Sequence, residues 1–228
     1  MPLSWIKSRS HTLNQLILKI FNVSLIEVDG ETELPPGAIL AFTHTQTLDS
    51  AIMNEVHKNQ MVSSVTFKEH VPGFAGKLAA AAAIILDKRG GATEQLVRHM
   101  RDNPHQITCI APARGDTMNS LWMADFKNGV QIIARETGRE HLVYPVIITW
   151  YDMGTGESLV WDKSMMNSVF ELLSTREIGV KYTILKPDST VKLDRLKARM
   201  DRCMISNRVQ IANRYRKMRG DTQMLATG

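Results

Sequence analysis

Ala38-Ile39-Leu40-Ala41-Phe42-Thr43-His44-Thr45-Gln46-Thr47-Leu48-Asp49 is the stretch that decides how this chain folds. It opens as a short apolar run, the pattern of a strand buried in a sheet. The strand ends at Phe42 or Thr43, which leaves His44 at its C-terminal tip. A polar turn follows, and Thr47 stands where an N-cap opens a helix over Leu48 to Lys58. A strand that passes through a turn into a helix is the first half of a parallel crossover.

The same alternation continues on either side. Further apolar runs lie at Leu25 to Val28, Val62 to Phe67, Ala83 to Leu86, Ile107 to Ala111, Val143 to Trp150 and Val180 to Leu185. Helical stretches are expected between them at Phe74 to Ala82, Thr93 to Asn103 and Phe126 to Thr137. The fold class expected is therefore α/β, a mostly parallel sheet flanked by helices. In such a sheet the chemistry gathers where strands end and loops leave for the next helix.

The two ends differ from this body. Trp5, Leu13, Leu16, Ile17, Ile20 and Phe21 recur at helical spacing, so residues 1–22 are expected to form an N-terminal amphipathic helix that either packs or lies on a membrane surface. Residues 23–190 form the α/β domain, and residues 191–228 a long basic C-terminal helix and tail. Ten Lys or Arg and two acids lie between Lys192 and Arg219, a net of +8 in a chain whose formal charge is +5, so the remainder is net acidic. The basic segment is expected to meet anionic lipid or an acidic carrier protein, with a merely solvated face as the bland alternative.

With 228 residues, 43% of them hydrophobic, the chain is large enough to bury one substantial core. No run reaches the ~18 apolar residues that a membrane span needs. Cys109 and Cys203 sit far apart in unlike contexts, which argues against a disulfide framework and for a reducing cytoplasm. Cys109 is expected to be a buried, inert thiol. His11, His57, His99, His105 and His141 show no ligand spacing and are assigned surface or capping roles. No zinc signature, dinucleotide fingerprint or phosphate loop occurs.

His44 and Asp49 suit general-base chemistry. On a continuous helix they would face different ways, whereas a turn between them brings the carboxylate back to the imidazole. A carboxylate bonded to one ring nitrogen fixes the tautomer and leaves the other to take a proton from an attacking hydroxyl or amine. Lys68, Lys88, Arg89 and Arg114 all fall near expected strand ends, where cations can converge on a phosphate. Gly115 and the start of the helix after His44 are candidates for backbone N–H groups facing an oxyanion.

In its order of motifs the sequence resembles the glycerolipid acyltransferase family, whose best-known members are 1-acylglycerol-3-phosphate acyltransferases. His44-Thr45-Gln46-Thr47-Leu48-Asp49 resembles that family's first block. Phe67-Lys68-Glu69-His70-Val71-Pro72-Gly73-Phe74-Ala75-Gly76, running on to Ile85-Leu86-Asp87-Lys88-Arg89, resembles the second, and Val143-Tyr144-Pro145-Val146-Ile147 the fourth. Phe126-Lys127-Asn128-Gly129 before an apolar helix also looks like the family. The third block departs: Ala111-Pro112-Ala113-Arg114-Gly115-Asp116-Thr117 keeps proline and glycine but has Arg114 where an acid is usual.

The resemblance implies an acyltransferase moving a fatty acyl group from acyl-CoA or acyl carrier protein to a hydroxyl or amine of a lipid-like acceptor. His44 is then the base and Asp49 its orienter, with no metal and no cofactor beyond the acyl donor. The location implied is cytoplasmic, peripheral on the inner face of the membrane. Two alternatives stand beside this: a thioesterase, in which water is the acceptor, and an inactive lipid- or nucleic-acid-binding module. Nucleic acid is disfavoured by the absence of an aromatic-rich binding motif.

Overall fold

A computed structural model describes residues 12, 14–46, 48–67, 83–87, 91–113, 125–160 and 165–226, with the side chains of 165–168 and 220–226 outside that description. Helix α1, over residues 14–20, turns at Asn22, whose positive φ of 54° is a conformation that asparagine tolerates, and feeds β1 (Val23–Asp29). Then come β2 (Ile39–Phe42), α2 (Asp49–Val56), β3 (Val62–Phe67), β4 (Ala83–Leu86), α3 (Ala92–Asp102), β5 (Ile107–Ile110) and α4 (Gly129–Glu136). The chain closes with β6 (Val143–Asp152), α5 (Met165–Ser174), β7 (Ile178–Ile184) and α6 (Leu193–Ala226). The helix expected over Phe74 to Ala82 lies outside the described residues.

The strands form one seven-stranded sheet in the order β1-β7-β6-β2-β5-β3-β4. Five of the six neighbouring pairs are parallel, as the alternation of strands and helices predicts; β6 and β7 are the antiparallel pair. Every residue of β2 and β5 is buried, as expected of central parallel strands covered on both faces. On one face Leu40, Phe42, Val146, Ile148 and Trp150 pack with Leu18 of α1, Ile52 and Met53 of α2 and Leu172 of α5. On the other, Ile39, Ala41 and Ile147 pack with Leu96 and Met100 of α3, Ile133 of α4 and Met200 and Met204 of α6.

Two features depart from expectation. α5 was not anticipated, because its apolar residues do not make one clean stripe: Leu172 is buried, yet Phe170 and Leu173 face solvent. α6 is long, as expected, but its cations are not laid out as a single open face. Leu196, Met200, Met204, Asn207, Ile211 and Tyr215 recur every three or four residues and form the buried row. Around that row Arg195 and Arg199 pair with Asp188, Lys197 with Asp201, and Arg214 with Glu27 of the edge strand β1.

That last pair belongs to a cross-tie. Arg214 donates to both oxygens of Glu27, at 2.6 and 3.0 Å, and the Tyr151 hydroxyl donates to Glu27 Oε1 at 2.7 Å. The Arg214 guanidinium holds the Glu27 carboxyl below its usual range. Tyr151 reaches Glu27 by lying across Gly179 of β7, where a Cβ would run into its ring. Gly179→Ala is therefore expected to destabilise the fold by about 1–3 kcal/mol through overpacking. A urea midpoint equal to that of the parent protein would contradict this account.

Candidate active site

The site begins where β2 runs out of ladder. The Thr43 amide still donates to the Val146 carbonyl at 3.0 Å, but beyond it the pairing passes to side chains. The Ile148 amide donates to Thr43 Oγ1 at 2.9 Å, and Thr45 Oγ1 donates to the Ile148 carbonyl at 3.1 Å. Two threonines thus satisfy the main chain of β6 in place of a strand. They pin the turn on both sides of His44, which stands between them with its side chain 32% exposed. Its ring packs edge-on to Phe42, with centroids 5.8 Å apart.

Asp49 is the first residue of α2 and is fully buried. Its Oδ2 accepts from the Thr45 amide at 2.7 Å and the Gln46 amide at 2.9 Å, and lies 3.0 Å from His44 Nδ1. Its Oδ1 accepts from the indole N–H of Trp150 at 2.7 Å. Burying a carboxylate is costly unless its lone pairs are met. Here four donors and the positive end of a helix meet them. Because the carboxylate only accepts, His44 Nδ1 carries the ring hydrogen, and the lone pair of the neutral imidazole lies on Nε2.

The turn that sequence reasoning required between His44 and Asp49 is therefore present, although Thr47, its expected cap, lies outside the described residues. The N-cap position of α2 is Leu48, with no side-chain cap; the Asp49 carboxylate instead folds back onto the amides of the preceding turn. Lys68, Lys88, Arg89, Arg114 and Gly115 also lie outside the described residues. The described strands that precede them, β3, β4 and β5, end at Phe67, Leu86 and Ile110 and run in the same direction as β2.

Two site residues were missed. Trp150 reaches Asp49 from a strand 101 positions away, and the signal for it was only that a buried indole N–H requires an acceptor. Gln46 is fully buried, and among the described residues neither its amide oxygen nor its amide nitrogen has a hydrogen-bond partner. Cys109 is buried as expected, and burial pushes its thiol far up. An open groove of ≈ 560 Å³ lies between α1 and β1 and reaches Glu55 near the other end of α2; neither His44 nor Asp49 lines it.

Of the surface or capping role expected for His57, the surface half is corrected: His57 stands at the C-cap of α2, its amide donating to the Met53 carbonyl at 3.0 Å. His57 follows α2 and is buried, its Nδ1 3.0 Å from the Thr32 carbonyl and its Nε2 2.9 Å from the Tyr182 hydroxyl. A carbonyl only accepts, so Nδ1 donates and Nε2 accepts from Tyr182. Burial is the main cause that lowers the His57 pKa from 6.5. Burial, with the nearby charge of Asp49 contributing, raises that of Tyr182. The uncharged ring is thus the form the fold holds. Above about pH 6.5 its full contribution is present, and as pH falls toward the lowered folded value the unfolded chain takes up the proton first, so stability is lost. The thermal midpoint is expected to fall more steeply between about pH 7 and pH 5 in the parent protein than in His57→Gln, which keeps a donor and an acceptor. Identical slopes would remove His57 from the explanation.

No protein-family model matches this chain, and a search of curated proteins finds no match. In structure it is similar to the crystal structure of the 1-acyl-sn-glycerophosphate (LPA) acyltransferase PlsC from Thermotoga maritima, with a TM-score of 0.61 at 12% sequence identity over 92% of this chain and 80% of that one. At that identity the likeness is one of fold.

Proposed function

We propose that this protein is an acyltransferase in which His44 is the general base and Asp49 its orienter. The observation that carries the reading is the hydrogen-bonded His44–Asp49 pair at the end of a central parallel strand, with Nδ1 committed to the carboxylate. The acceptor hydroxyl or amine gives its proton to His44 Nε2 and attacks the thioester carbonyl. The tetrahedral intermediate collapses with loss of the thiolate, and His44 returns the proton to that sulfur. The acyl donor is acyl-CoA or acyl carrier protein, and the acceptor is lipid-like.

The chemistry around the pair favours a substrate nucleophile. Among the described residues, Thr43 and Thr45 engage Ile148, and Cys109 is buried with its thiol pushed up, so none is an activated protein nucleophile. Lys68, Lys88, Arg89 and Arg114 are assigned to the phosphate of donor or acceptor, and Gly115 to the oxyanion. No described helix is long and apolar enough to cross a membrane. A peripheral location on the inner face of the membrane is supported by Leu16 and Ile20 of α1, which face solvent, and by the exposed Lys192, Arg216 and Lys217.

His44→Ala is expected to lower acyl transfer by about 10²–10⁴-fold while the protein stays folded. Unchanged turnover would reject the base. Asp49→Asn is expected to lose activity and also about 1–3 kcal/mol of stability, because its NH2 group would face an N–H donor on one side or the other. Acceptor-independent release of free fatty acid would point to hydrolysis instead, and strong DNA retention without lipid binding would point to a non-enzymatic module.

A further inference from the structure

We infer that Trp150 is a positioning residue for the His44–Asp49 pair, acting through the carboxylate oxygen that the imidazole does not use; this rests on the reading of His44 as base. Three donors meet Asp49 Oδ2, and two of them, the Thr45 and Gln46 amides, belong to the turn itself. Those contacts all hold one oxygen and come from one short stretch of chain, so they grip the carboxylate from one side. Oδ1 accepts from Trp150 Nε1 at 2.7 Å, and that bond comes from a different element of the fold.

The position of Trp150 gives the contact its leverage. Ile148 and Trp150 are alternate residues of β6 and share a face of the sheet. Ile148 holds the turn through Thr43 and Thr45, while Trp150 holds the carboxylate. One strand therefore holds both the carrier of the imidazole and the far oxygen of its partner. Val180 of β7 pairs with Trp150, and Trp150 is 1% exposed, so the indole itself has little freedom to drift.

Without the indole N–H, Oδ1 is buried and unmatched, and the carboxylate turns to find another donor. The preference for hydrogen on His44 Nδ1 then weakens. The effect falls on proton transfer, so it should appear in kcat more than in KM.

The test compares the full-length parent protein, Trp150→Phe and His44→Ala. Ring-15N NMR of His44 supplies a readout that needs no substrate, and turnover of palmitoyl-CoA with lysophosphatidate in mixed vesicles supplies the kinetic one. Trp150→Phe is expected to shift the ring nitrogens away from the Nδ1–H pattern and to lower kcat by about 10- to 100-fold, by analogy with the loss of an outer hydrogen-bond partner behind a metal-bound histidine, with KM little changed. If Trp150→Phe fails to fold, replacing Trp150 by β-(3-benzothienyl)alanine keeps the ring shape while removing the N–H. A folded variant with an unchanged ring-nitrogen pattern and unchanged kcat overturns the inference. Full activity in His44→Ala overturns the base assignment instead, and the two failures are distinguishable because the 15N readout does not depend on turnover.

Discussion

A carboxylate with no solvent around it constrains everything near it, and Asp49 is that group here. An isolated buried charge is not tolerated in a folded protein; it must be met by donors or the chain must rearrange. Asp49 is met by amides of the turn before its own helix, by an imidazole and by an indole. These donors come from two separate parts of the sequence, so the requirement ties the turn after β2 to the register of β6. The turn after β2 cannot relax without exposing or orphaning the charge. That is why a histidine at a strand tip, with about a third of its side chain open to solvent, can still be held in one orientation.

β6 carries most of this burden. It pairs in parallel with β2 and antiparallel with β7, so it joins the parallel part of the sheet to its reversed edge. Ile148 gives its main-chain groups to the threonines flanking His44, and its strand partner on β7 is Tyr182. Tyr182 in turn donates to His57, which closes on Thr32. A second polar contact layer thus lies beneath the first, built from a tyrosine and a histidine that burial keeps uncharged. Further out, the α6 cross-tie through Arg214, Glu27 and Tyr151 holds the reversed edge. The cations of the terminal helix therefore serve the fold as well as any partner.

Much of this was legible in the amino-acid pattern. Apolar runs separated by amphipathic stretches define parallel strands and crossovers, and Val62–Phe67 and Ala83–Leu86 have the bounds expected of them. A turn between His44 and Asp49 was expected from the strand end before them, since a continuous helix would point the two apart. What the pattern does not encode is strand direction at an edge or the identity of a long-range polar partner. β7 reads as an apolar run whichever way it points, and nothing local distinguishes Trp150 from any other core aromatic. His57 misled for the same reason: a lone histidine after a helix resembles a surface cap, and only Tyr182, 125 positions away, makes it a buried acceptor.

The arrangement also bears on which molecule supplies the nucleophile. In a hydrolase triad, an imidazole oriented by an acid deprotonates a side-chain hydroxyl or thiol held against its other nitrogen. Here, among the described residues, the neighbouring hydroxyls of Thr43 and Thr45 bond Ile148. The thiol of Cys109 lies in the central strand β5, and burial disfavours its ionised form. Both groups are occupied with keeping the scaffold in register. Under the proposed acyl-transfer reading, the proton that such an oriented base takes belongs to the acceptor. Under that reading, the capacity to activate the acceptor resides in the pairing of β2 with β6.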